Sequence, residues 1–92
     1  MRAREACAGR WRHGSIIHVV SLQPDGQLTL KPDYQPLYHL RPYQRGIFSI
    51  RELEGFRVEF RRGATGSVDE LVFHQPNGTF IAHRIESDVV SG

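Results

Sequence analysis

Little in this 92-residue chain allows covalent or metal cross-linking. Cys7 is the one cysteine, too few for an internal disulfide or a structural zinc site. No apolar run approaches the roughly 20 residues needed to span a bilayer as a helix, and no membrane partner is expected. The stretch from Met1 to Arg12 is arginine-rich and has no apolar segment, so it does not read as a signal peptide. Asparagine occurs once, at Asn77, and lysine once, at Lys31; the other eleven of the twelve basic residues are arginine. Arginine stacks on rings and forks onto carboxylates and phosphates in ways lysine does not. With 39% hydrophobic and 24% charged residues, the composition is that of a globular chain rather than a disordered one. At this length one small core is available.

What is present reads with period 2. Phe56-Arg57-Val58-Glu59-Phe60-Arg61 alternates apolar and charged, the mark of a half-buried strand with one wet face. Leu28-Thr29-Leu30 and Phe48-Ser49-Ile50 alternate more briefly, and the β-branched run Ile16–Leu22 favours strand over helix. The only candidate helix is a short one between Arg2 and Ala8. About eight short strands follow, near 9–12, 16–22, 27–31, 37–41, 46–51, 56–61, 68–74 and 79–85, flanked by tails at 1–8 and 87–92 around one domain at 9–86.

Turns supply the register. Gln23-Pro24-Asp25-Gly26-Gln27 and Gln75-Pro76-Asn77-Gly78-Thr79 repeat one device: proline presets φ, Asp or Asn follows, and glycine takes the left-handed position. Each suits a three-residue hairpin loop with a glycine bulge. Leu53-Glu54-Gly55 fits the same geometry, and Arg62–Gly66 is a turn of open register. The loops set Leu22 opposite Leu28, Val20 opposite Leu30, Ile50 opposite Val58, Phe48 opposite Phe60, and Glu70 opposite Arg84. Short connections force an antiparallel meander. Its two edges are removed by closing into a small up-and-down barrel, a strongly coiled half-open sheet being the alternative.

In order and spacing, the chain resembles the C-terminal domain of unknown function found behind bacterial β-lactamase-related serine hydrolases. The likeness runs from Gly9-Arg10-Trp11 through Leu22–Leu30, Gln35-Pro36-Leu37-Tyr38-His39-Leu40-Arg41-Pro42 and Val58–Arg61. It continues through Leu71–Gly78 to Ala82-His83-Arg84-Ile85. It implies a lipocalin-like barrel that serves as an accessory to a catalytic domain, shaping access to its site or mediating oligomer contacts. The hydrolase's own Ser-x-x-Lys is missing: position 28, three before Lys31, is leucine. The Tyr-x-Asn or Ser-x-Asn motif is missing too, since position 75 is glutamine.

The chemistry-bearing residues give no catalyst. His13, His18, His39, His74 and His83 lack metal-ligand spacing, and the last hairpin as read places His74 and His83 on opposite faces. Asp69 and Glu70 are adjacent and point to opposite sides of a strand, and Glu52 and Glu54 flank a turn. No serine lies in a nucleophile elbow. The protein is therefore expected to be a non-catalytic accessory domain, without cofactor or metal, contacting a hydrolase domain or a second copy of itself. The alternative is a module binding a small apolar or anionic ligand in the barrel mouth, with His18 as its polar contact, because His18 shares a face with Ile16, Val20 and Leu22. A third reading, arginine-mediated nucleic-acid binding, is disfavoured because acidic residues interrupt the basic ones. Tyrosine and arginine favour interfaces, so Tyr38, Arg41, Tyr43 and Arg45 are the expected partner contacts. Strands of about five residues fill a barrel with their own side chains, which points to the outer surface rather than a lipocalin-sized pocket.

Overall fold

The computed structural model describes residues 4–85. The tail expected at 87–92 and the first residues of the one at 1–8 lie outside them. Eight strands run β1 (Gly9–His13), β2 (Ile16–Leu22), β3 (Leu28–Pro32), β4 (Tyr38–Gln44), β5 (Ile47–Ile50), β6 (Leu53–Arg62), β7 (Val68–Gln75) and β8 (Gly78–Arg84). Each pairs antiparallel with the next, and β8 returns to β1, so the sheet is a closed up-and-down barrel.

Alternation sets the inside. Trp11, Val20, Leu28, Leu30, Leu40, Phe48, Ile50, Val58, Phe60, Leu71, Phe73 and Ala82 form the core. Trp11 is wholly buried and meets Phe60 edge-on at 6.0 Å between ring centroids. The β2–β3 hairpin follows its sequence reading: Leu22 faces Leu28, Val20 faces Leu30, and Asp25 Oδ1 accepts the Gln27 N–H at 3.0 Å to close the loop.

Two registers differ from the sequence reading. Between β5 and β6 the turn is Arg51-Glu52, with Ile50 paired to Leu53 and Phe48 to Val58. Glu54, Gly55 and Phe56 have no partner in β5 and bulge out of the ladder, Gly55 at φ 84°. The shift is by two, so the inward set survives it. In the last hairpin the loop is Pro76-Asn77, pairing Gln75 with Gly78 and Glu70 with His83 rather than with Arg84. That one-residue slip puts Phe80 opposite Phe73 and Ala82 opposite Leu71, inside the barrel. The register read from the turn would have faced Leu71 with His83. Core packing outweighs turn preference, because every side chain of β8 changes face with the slip. His74 and His83 consequently share the outer face, correcting the opposite-face reading.

Residues 4–8 are a plug rather than a tail. A 3-10 turn at Glu5–Cys7 buries Cys7 against the core, and Arg4 Nη1 donates to Gly26 O at 2.6 Å. Arg84 fastens this plug. It points inward from β8, stacks 4.3 Å over Trp11, and donates from Nε to Val68 O (2.9 Å), from Nη1 to Ala8 O (2.9 Å) and from Nη2 to Ala6 O (2.6 Å). Gly9 makes room for it: its φ is 141°, and a Cβ there would stand 2.5 Å from Arg84 Nη1. Trp11 pairs with Arg84 and Arg12 with His83 across the β1–β8 seam, and the Ile85 N–H donates to Arg10 O at 2.9 Å, so the latch sits where the barrel closes.

Candidate functional site: the barrel mouth

With one end plugged, the other holds a cavity of about 270 Å³. It sits where β1, β3, β5 and β7 end and β2, β4, β6 and β8 begin. Its walls are mostly apolar or aromatic: Leu30, Pro32, Ile50, Leu53, Phe56, Phe73 and Phe80. Polar groups enter from His13, His18, Gln35, Tyr38 and Gln75. The deeper layers fill as expected for a barrel this narrow. At the mouth the strand ends carry histidine, glutamine and tyrosine, which line space instead of closing it.

His18 is the polar centre of the floor. Its residue is 8% exposed, its ring lies 4.6 Å from that of Phe73, and its buried Nδ1 has no hydrogen-bond partner. Burial lowers its pKa below the ordinary 6.5, and His13 lowers it further, while Asp33 opposes them. The ring is therefore neutral at pH 7, able to donate from one nitrogen and accept at the other. Asp33 belongs to the β2–β3 ladder end: its Oδ2 accepts the Ile17 N–H at 3.0 Å, and its own N–H returns to Ile17 O. At the rim, the half-buried Tyr38 donates its hydroxyl to Gln35 Oε1 at 3.2 Å. His13 meets Phe80 edge-on at 5.5 Å.

The residues expected to form one partner surface divide between two places. Tyr38 faces the mouth with His18. Arg41, Tyr43 and Arg45 lie on the outside, Arg45 in the β4–β5 turn. The Arg57 guanidinium stacks on the Tyr43 ring at 4.0 Å. Sequence reasoning missed His13, Gln35, Gln75 and Phe80 as mouth residues. Their shared signal was position, each lying beside a turn at the same end of the meander, and the slipped last hairpin hid Phe80.

Glu52 does more than keep a turn wet. Its Oε1 accepts the His39 N–H at 2.9 Å and its Oε2 lies 2.6 Å from His39 Nδ1, which holds its carboxyl below the usual range. Glu59 is likewise lowered, first by a 2.9 Å hydrogen bond with His74 Nε2 and then by Arg61. Among the described residues no group of three or more His, Cys, Asp or Glu is placed to hold a metal ion. No protein-family model, curated protein or solved structure matches the chain.

Proposed function

We propose that the protein is a non-catalytic binding barrel whose mouth takes a small, largely apolar group carrying one hydrogen-bonding function. The observation that carries this reading is the lining of the mouth, seven apolar or aromatic side chains around the buried ring of His18, whose Nδ1 has no partner among the described residues. Leaving such a group unpaired costs about 1–3 kcal/mol, which an occupant restores once the ring turns Nδ1 toward it. An apolar cavity of about 150 Å³ accepts benzene. The 270 Å³ here has room for one substituted ring, near the small end of ligand pockets. Among the described residues the lining holds no Ser, Thr, Cys, Lys, Asp or Glu, which supports binding over nucleophilic or carboxylate chemistry.

An accessory role beside a serine hydrolase, drawn from the resemblance, is compatible with the same mouth. An aromatic side chain from a partner domain is an occupant of this size and chemistry. The test is a thermal-shift and NMR titration with phenol, p-cresol, indole and toluene. Binding by the first three should move the resonances of His18, Phe73 and Phe80, with toluene weaker because it has no group to hydrogen-bond with the polar side chains of the mouth. At a hundred times Kd the stabilisation is about 2.7 kcal/mol, roughly 11–22 °C in Tm for a domain of this size. No saturable shift at the mouth with any of the four probes at millimolar concentration would sink the reading.

A further inference from the structure

The geometry points to a second, separate site on the outer face of β4, β5 and β6, where Arg41, Ser49 and Arg57 take a phosphate monoester. Ser49 pairs with Arg41 on one side and Arg57 on the other, so the three side chains stand in a row on the outward face. Adjacent strands lie about 4.8 Å apart, placing the two arginine Cα atoms about 10 Å apart. The side chains close that gap. Arg57 crosses over β5 to stack on Tyr43, which lies two residues beyond Arg41 on β4. The Arg57 guanidinium thus lies over the Tyr43 ring of β4, and Arg41 stands on the same outward face and lines one hollow with it.

Glu54 lines the same hollow, but no ion pair among the described residues joins a carboxylate to Arg41 or Arg57. Among the described residues Glu52 is engaged by His39 and Arg51, and Glu59 by His74 and Arg61. Neither Arg41 nor Arg57 has a carboxylate partner there, and Arg57 Nε is buried without a hydrogen-bond acceptor. Two guanidinium groups without carboxylate partners on one lining make a favourable place for an anion. The bulge at Glu54–Phe56 supplies the space, a hollow of about 340 Å³ bounded by Arg41, Ser49, Arg51, Gly55 and Arg57, with Glu54 also on its lining.

The donor set selects the ligand. Two planar forks match tetrahedral phosphate oxygens, and the Ser49 hydroxyl adds a third donor. A monoester above its second pKa of about 6 carries close to two charges, matching two arginines better than a singly charged diester. The group could be borne by a small molecule or by a phosphorylated side chain; the chemistry recognised is the same.

The probe is methyl phosphate, a monoester with no ring to enter the mouth, titrated at pH 7.5 and constant ionic strength into the whole chain, read by NMR at the Ser49 amide and the arginine Nε–H signals. Saturable shifts are expected there while the His18 and Phe73 signals stay still, which separates this site from the mouth. R41Q, at an exposed position, should weaken binding about tenfold without changing the circular dichroism. R57Q should do the same, and E54Q should tighten binding several-fold. A phosphoserine peptide binding more tightly than methyl phosphate assigns the phosphate to a protein partner. Equal affinity assigns it to the phosphate group alone. Shifts that rise linearly at every arginine, an R41Q variant that binds as well as the parent, or an oligonucleotide without a terminal phosphate binding as tightly would each overturn the proposal.

Discussion

Replacing Arg84 with lysine keeps the charge and removes the fork, and the structure predicts how much that costs. Three backbone carbonyls, from Ala6, Ala8 and Val68, accept from three different nitrogens of one guanidinium. An ammonium is a single point and can serve one of them without moving the backbone. At least two carbonyls then lose a charged donor. A hydrogen bond to a charged group is worth about 1.5–3 kcal/mol, and since these are only partly buried, about 1–1.5 kcal/mol each is reasonable. The flat contact on Trp11 adds roughly 0.5–1 kcal/mol. R84K should therefore cost about 2.5–4 kcal/mol, against a total of roughly 4–12 kcal/mol for a folded domain of this size. Urea unfolding followed by far-ultraviolet circular dichroism and by the fluorescence of Trp11, the one tryptophan, measures it. A fall in Tm of roughly 10–30 °C should accompany it. Cys7 is an internal reporter: its thiol is buried and pushed up to about 11, so it should react slowly with a disulfide reagent at pH 8 in the parent and much faster once the plug loosens. A loss below about 1 kcal/mol with unchanged Cys7 reactivity would show that the plug is held by something other than this latch.

Gly9→Ala should cost about 2 kcal/mol or more, from the left-handed φ and the collision with Arg84. Combined with R84K it should cost less than the sum, since both loosen one contact; additivity in urea unfolding would count against that coupling. His18 has its pKa lowered in the folded state, so the unfolded chain takes up the proton first and stability should fall as pH drops below about 6.5. H18F, which keeps a ring against Phe73, should abolish that part of the pH dependence; an unchanged profile between pH 7 and 5 would refute the assignment. Glu52 acts in a separate window: its carboxyl is lowered, so its contribution is present above 4.5 and lost as pH falls through the folded value. E52Q should cost only a few tenths of a kcal/mol at pH 7, because the pair is exposed, and should flatten the acid limb of the stability curve.

The strands were legible because alternation and turn chemistry agree for most of the chain. Pro24-Asp25-Gly26 gave its hairpin to the residue. The nearly identical Pro76-Asn77-Gly78 did not, since β7 and β8 gain more by facing Phe73 with Phe80 than by keeping the three-residue loop. Arg84 was unreadable in principle: an arginine at a strand end ordinarily marks the wet face, and only barrel closure brings Ala6 and Ala8 to it. His18 was readable from its apolar neighbours, but the cavity around it depends on strand ends that meet only when the sheet closes. Tyr38, Arg41, Tyr43 and Arg45 are close in sequence, yet alternation along β4 sends Tyr38 inside and Arg41 and Tyr43 outside.

The seam between β1 and β8 also bears on how the chain folds. Every other strand pairing joins sequence neighbours through a short turn, whereas this one closes a loop of more than 70 residues (Trp11 with Arg84). Relative to a hairpin loop of about ten residues, that closure costs about 1.7 kcal/mol more in chain entropy. The meander can zip along its length before its ends meet, leaving the seam to form after the main barrier. R84K and G9A should then accelerate unfolding while hardly slowing refolding. The latch thus acts as a brake on opening, setting how long the closed barrel lasts rather than how fast it is made.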